Sequence, residues 1–203
     1  MEGKLIVLEG IDGSGKSSIG MMLTDTLNSL GIKSIYTFEP TYAYYGSKLR
    51  ESLLSKDLKP EEELSLFIAD RKEHIKHMIK PAINDGYVIV LDRYIYSSIA
   101  YQGAKGIDKE YIYNLHKDFI LQPDLVFILH LDIETALNRI MEKRGFVDRF
   151  ENKNYLEEVD KIFCSFDASY IHHIDASKSQ ESIKDEILNT IKESKILPLN
   201  SLQ

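Results

Sequence analysis

One cysteine, Cys164, is all the thiol chemistry in this 203-residue chain. A lone cysteine excludes an intramolecular disulfide and fits a reducing compartment, so the expected location is the cytoplasm. Cys164 sits in a helical pattern, which predicts buried packing rather than catalysis. No apolar run reaches the roughly eighteen residues that a membrane span needs, so none is expected. The first residues lead straight into an apolar segment and lack a secretory-leader pattern. There is no Lys/Arg-rich block, and the net charge is −7, which weighs against nucleic acid as the main partner. Arginine is scarce: of 25 basic residues, six are Arg, at positions 50, 71, 93, 139, 144 and 149. Lysine thus supplies general surface charge. The few planar forks are either kept for bidentate recognition of phosphate or base edges or serve as ordinary salt-bridge partners.

What is present begins at Leu5. Leu5-Ile6-Val7-Leu8-Glu9 is an apolar run suited to a strand buried on both faces. It ends in Gly10-Ile11-Asp12-Gly13-Ser14-Gly15-Lys16-Ser17, which matches G-x-x-x-x-G-K-[ST] throughout. Glycines let the backbone turn tightly and aim its N–H groups at phosphate oxygens. Lys16 supplies a point charge for the β- and γ-phosphates, and the Ser17 hydroxyl can ligate Mg²⁺. Ile19, Met22, Leu23, Leu27 and Leu30 then form the apolar stripe of a helix, whose N-terminus completes an anion site. This is a nucleoside-triphosphate site.

Further along, Ser34–Phe38 reads as a second strand, stopped at Glu39-Pro40-Thr41. Pro60 followed by three glutamates opens a helix with Leu64, Phe67, Ile68, Arg71 and Ile75 on one face. Arg71 on that apolar face needs a partner or a ligand, and Pro81 is expected to kink or end the helix. Tyr87–Leu91 is a third strand, running into Asp92-Arg93-Tyr94; a carboxylate at such a strand end is where Mg²⁺ is held in related nucleotide sites. Leu125–Leu131 and Tyr170–Asp175 complete five apolar strands separated by helices. The expected fold is α/β: a five-stranded parallel sheet covered on both faces, with ligands at the carboxyl ends of the strands. His130 is expected to be a satisfied core or strand-end histidine.

The ordered segments LEGIDGSGKSS, FEPT with GSKLRESLL, LFIADRKEH, VLDRYIYSSIAYQG, ALNRIMEKRGFVDRFE and HHIDASKSQESI together resemble the thymidylate kinases over nearly the whole length. That resemblance implies one kinase domain over 1–203 with a short lid near 141–151. It implies phosphoryl transfer from Mg²⁺-ATP to dTMP, and a homodimer packed through helices flanking the sheet. Gly10 to Ser18 and Arg139 would bind ATP, with Ser17 and Asp92 at the metal. Phe67 would stack on thymine, Arg71, Ser98 and Gln102 would read its edge, and Tyr101 would lie against the deoxyribose. Core packing is the plain alternative for Phe67. Asp12 would accept from the 3′-hydroxyl, Arg50 and Arg93 would hold the acceptor phosphate, and Glu39 would face this region. Arg144 and Arg149 in the lid would meet transition-state charge, because Gly13 stands where some members carry an arginine. The glycines that often follow the second strand are also missing, replaced by the tyrosine-rich Tyr42 to Tyr45. Two rivals stay open. One is a deoxynucleoside kinase using Glu39 as general base. The other is a GTP-binding switch protein, although Asn152-Lys153-Asn154-Tyr155 lacks the Asp of N-K-x-D.

Overall fold

The computed structural model describes residues 2–55, 58–144 and 152–199. Its elements alternate as the apolar runs predict. β1 (Lys4–Glu9), α1 (Lys16–Ser29) and β2 (Ser34–Phe38) are followed by α2 (Tyr44–Ser55) and α3 (Pro60–His74). A π-helical turn over Ile75–Ile79 joins α3 to α4 (Lys80–Asn84). Then come β3 (Val88–Asp92), α5 (Ile95–Ala104), α6 (Lys109–His116) and β4 (Leu125–His130). The chain closes with α7 (Ile133–Arg144), α8 (Lys153–Cys164), β5 (Ile171–Asp175) and α9 (Gln180–Ser194).

The strands pair in the order β2-β3-β1-β4-β5, every pair parallel. All five residues of β3 are buried, and β1 and β4 are buried at all but one terminal position. Since neighbouring side chains point to opposite faces, both faces of the central strands are covered. The edge strands β2 and β5 are mixed in burial, which is why they carry Tyr36 and His172 among their apolar residues. From β1 the chain crosses to β2 on one side of the sheet, and from β4 it crosses to β5 on the other. The crevice between the carboxyl ends of β1 and β4 is therefore the switch point at which α/β sheets bind ligands.

Of the two outcomes expected at Pro81, one is ruled out, and the expectation for Cys164 is corrected. Pro81 does not end its helix: the Lys80 N–H reaches five residues back to the Ile75 carbonyl, and this wide turn lets the helix run on through the proline to Asn84. Cys164 is exposed rather than buried, because it falls in the last turn of α8, on a different face from the core residues Leu156, Val159 and Phe163.

Candidate active site

The Gly10–Ser17 loop joins β1 to α1, and its glycines at 10, 13 and 15 all have positive φ (135°, 82° and 96°). At Gly13 a Cβ would also lie 2.6 Å from the Ala136 carbonyl oxygen on α7. The arginine that some thymidylate kinases carry there has no room here. Lys16, the first residue of α1, folds back over the loop and donates to the Ile11 carbonyl at 2.8 Å. Burial, with the nearby Arg93 cation, lowers its pKa to about 8.

Ser17 Oγ donates to Asp92 Oδ2 at 2.6 Å, and the Tyr36 hydroxyl donates to the same oxygen at 3.0 Å. Tyr36 reaches it across α1 at Gly20, where a Cβ would stand 2.6 Å from the tyrosine ring. Asp92 Oδ1 is left buried with no hydrogen-bond partner. A free carboxylate oxygen beside a hydroxyl is a hard-oxygen donor set, and it fits Mg²⁺. From here a cleft of about 480 Å³ runs along the loop, past Arg139 and Ile140, to Ala176, Lys178, Ser179 and Gln180 before α9. Arg139 donates to the Ala176 carbonyl at 3.4 Å, with Gly13 O at 3.5 Å.

Across the loop, Arg93 takes a left-handed backbone (φ 70°), a strained conformation for a non-glycine residue. Its N–H bonds Leu8 O at 2.9 Å, while its side chain turns towards the loop. There Nη2 donates to Asp12 Oδ1 at 2.8 Å, Nη1 donates to Ser97 Oγ at 3.0 Å, and the guanidinium lies 5.0 Å from the Tyr101 ring centre. Burial works against the charge, but Asp12, Tyr101 and Asp92 outweigh it and raise the pKa of Arg93 well above its ordinary value. The Tyr101 hydroxyl donates to Asp12 Oδ2 at 3.3 Å. Glu9, at the end of β1, caps α5: its carboxylate accepts from Tyr94 N, Ser97 N and Ser97 Oγ at 2.8, 3.1 and 2.5 Å. Burial raises the Glu9 pKa.

Arg71 is 1% exposed and four of its five N–H groups are engaged. Nε donates to Glu39 Oε2 at 2.6 Å, Nη1 to Ser98 Oγ at 2.9 Å and His116 Nε2 at 2.7 Å, and Nη2 to Tyr94 O at 2.9 Å. His116 is neutral, its Nδ1–H donating to Ile112 O, and burial next to Arg71 lowers its pKa to about 4. His74 Nδ1 lies 3.1 Å from the other Glu39 oxygen. Burial alone would raise the Glu39 pKa, but Arg71 and His74 outweigh it and hold the carboxyl below its ordinary value. A carboxylate with both oxygens engaged and a depressed pKa makes a poor general base, and this removes the physical support for the deoxynucleoside-kinase reading. Gln102 is also buried: Nε2 donates to Glu63 Oε1 at 3.1 Å, and Oε1 has no partner. Phe67 is half-buried, one helical turn before Arg71.

The structure thus gathers Asp12, Lys16, Ser17, Asp92, Arg93 and Tyr101 around one loop, and joins Glu39, Arg71 and Ser98 in a second cluster. Arg50 stands apart: its fork donates to the Pro40 and Thr41 carbonyls and stacks 4.3 Å from the Tyr42 ring centre. Asp132, another strand-end carboxylate, caps α7 through Thr135 instead of facing the loop. Arg144 ends α7 with its side chain outside the described residues, and Arg149 and most of the 141–151 stretch also lie outside them. Sequence reasoning missed Glu9, Tyr36, Glu63, His74 and His116. The one signal for Glu9 was a charge closing an apolar strand.

The thymidylate kinase family model matches residues 8–187. A thymidylate kinase of Brachyspira hyodysenteriae is 89% identical over 203 residues, the whole of both chains. One from Desulfotalea psychrophila is 41% identical over 94% of this chain and 95% of its own. A probable thymidylate kinase of Archaeoglobus fulgidus is 39% identical over 97% and 99%. With motif, sheet order and full-length similarity in agreement, this chain belongs to the thymidylate kinase family.

Proposed function

We infer that this chain phosphorylates dTMP to dTDP, with ATP as donor and Mg²⁺ as the divalent ion. Two buried acceptors carry the reading: among the described side chains, Asp92 Oδ1 and Gln102 Oε1 are the buried polar atoms without a hydrogen-bond partner. Leaving such atoms unpaired costs free energy unless a ligand completes them. Asp92 Oδ1 lies beside Ser17, where Mg²⁺ would be held. Gln102 Oε1 needs a donor, and thymine has one in N3–H, whereas cytosine presents an acceptor at that position. The remaining Nη2 hydrogen of Arg71 is the complementary donor for a base carbonyl, with Phe67 one turn away to stack on the ring.

In the mechanism we propose, the loop amides and Lys16 hold the β- and γ-phosphates, and Arg139 with residues 176–180 borders the adenosine end. Bound Mg²⁺ would neutralise charge on the phosphates. Arg93 stands between the loop and the acceptor side, where it would pair with the transferring group. Asp12 would meet the 3′-hydroxyl, and Tyr101 the sugar. The acceptor phosphate is already anionic, so alignment and charge neutralisation suffice without a strong base. Arg50 would reach the acceptor phosphate by giving up the carbonyls it now holds. Arg144 and Arg149 would act from a lid over 141–151; Arg144→Ala should then lower turnover far more than the affinity for either nucleotide.

We also infer a cytoplasmic homodimer. Tyr111 and Leu115, exposed one turn apart on α6, offer apolar surface for it, and light scattering gives the mass. Among the described residues no helix is long and apolar enough to cross a membrane. The deciding experiment is ADP release with Mg²⁺-ATP and, separately, dTMP, dUMP, dCMP and thymidine. Saturable turnover on dTMP, with little on thymidine or dCMP, is expected. Turnover on thymidine in place of dTMP would overturn the acceptor assignment.

A further inference from the structure

On the far side of β4 from the Gly10–Ser17 loop, three unlike donors converge. His130 Nδ1 lies 3.1 Å from Asp160 Oδ1, Cys164 Sγ lies 3.7 Å from His130 Nδ1, and Sγ lies 3.8 Å from Asp160 Oδ2. Among the described residues this is a group of three potential ligand atoms within 4.8 Å of one another. Zinc bonds of about 2.0 Å to nitrogen and oxygen and about 2.3 Å to sulfur, at tetrahedral angles, separate the ligand atoms by about 3.3 to 3.6 Å. The short contacts use different oxygens of Asp160, Oδ1 towards His130 and Oδ2 towards Cys164, so the carboxylate must turn and the three side chains draw in from within 4.8 Å to reach that spacing.

A second observation concerns where the histidine protons sit. His173 Nε2–H donates to the Phe166 carbonyl at 2.9 Å, so His173 Nδ1 is an acceptor. It faces His130 Nε2 at 2.7 Å, which therefore carries the hydrogen. The nitrogen left to coordinate is therefore His130 Nδ1, on the side of Asp160 and Cys164. An imidazole whose outer N–H is held by a second group is also how proteins orient a metal-bound histidine. An open cleft of about 550 Å³ beside His130 and Asp160 is lined further by Asp132 and Asp175, whose charge favours a cation. It shares no lining residue with the nucleotide cleft.

We propose that His130, Asp160 and Cys164 form a Zn²⁺ site, with His173 orienting His130 and water completing the coordination. Imidazole, carboxylate and thiolate together select a borderline ion over the Mg²⁺ of the nucleotide site. On binding, Cys164 gives its proton to solvent and a zinc–sulfur bond forms; no redox partner is needed. The site would brace β4 against the last turn of α8. Tyr155, in the first turn of α8, donates to the Tyr101 carbonyl at 2.7 Å, so the brace extends to the acceptor side of the active site.

The test uses the full-length protein, freed of metal by a chelator and kept in excess Mg²⁺. One equivalent of Co²⁺ should give a thiolate-to-cobalt charge-transfer band with the visible bands of a four-coordinate site. Cys164→Ser should abolish the charge-transfer band and Asp160→Asn should weaken cobalt binding, and His173→Gln should lower Zn²⁺ affinity about 10- to 100-fold. Zn²⁺ should raise the Tm of the wild type but not of Cys164→Ser, and turnover of Cys164→Ser without zinc should match wild type. Because Cys164 is exposed, its serine variant tests the site without threatening the fold. Absence of the charge-transfer band, or equal Zn²⁺ affinity in wild type and Cys164→Ser, would overturn the proposal and leave an ordinary imidazolium–carboxylate pair.

Discussion

The two halves of the proposed active site are built differently. The donor half is one uninterrupted stretch, Gly10 to Ser17, in which the backbone forms the binding surface and Lys16 folds back onto the loop carbonyl of Ile11. The acceptor half is assembled from side chains that are distant in sequence: Arg71 meets Glu39, Ser98, Tyr94 and His116 at separations of 32, 27, 23 and 45 residues. A backbone cradle carries few buried charges, so apart from its glycines few changed side chains there leave a partner uncompensated. A network of buried charges tolerates less, because each member removed leaves another uncompensated. Donor-side variants should therefore lose rate and keep stability, whereas acceptor-side variants should lose both.

The sharpest test of that contrast is Arg93, which lies on the boundary. Arg93→Gly should lower turnover on the order of 10³-fold, the scale for removing a transition-state charge partner. Its Tm should exceed that of Arg93→Ala, since glycine accepts the left-handed backbone; ADP release and thermal melts check the two halves. On the acceptor side, Glu39→Ala leaves Arg71 buried and unpaired, and should cost about 3–5 kcal/mol in urea unfolding. A loss below about 1 kcal/mol would break the comparison. On the donor side, pH is the probe. With the Lys16 pKa at about 8, its charge is present below that pH and lost above it, so kcat/KM for ATP should fall as pH rises past about 8. Lys16→Arg should remove that limb from the profile. The smallest effect belongs to Tyr36→Phe. It deletes one hydrogen bond to Asp92, a loss of roughly 1 kcal/mol, and should raise the Mg²⁺ requirement a few-fold while leaving saturated turnover nearly unchanged.

The same contrast decides what could be read from the sequence. The loop and the strand ends are local, so a pattern of spacings reveals them. The central strands were equally legible, because burial on both faces demands unbroken runs such as Val88 to Leu91. Arg71 on an apolar face signalled a buried partner, but nothing local named Glu39 or His116, since that pairing depends on how β2, α3 and α6 meet. Cys164 misled for a similar reason: helical periodicity located its helix, but one residue near a helix end is a weak guide to the buried face. The strand order was also hidden, because apolar runs say which segments form strands and not which are neighbours.

Parallel strands have one further consequence. To bring every strand end to the same edge, the chain must make a long return after each strand, and the cleft wall runs from Asp12 to Ile183. Contacts of that span close slowly and late. The cleft is therefore complete only when both ends of the chain are made, and a polypeptide still emerging from the ribosome lacks the wall from Ala176 to Ile183. Once that wall is in place, a nucleotide that touches both ends of the chain would stabilise the folded domain as a unit.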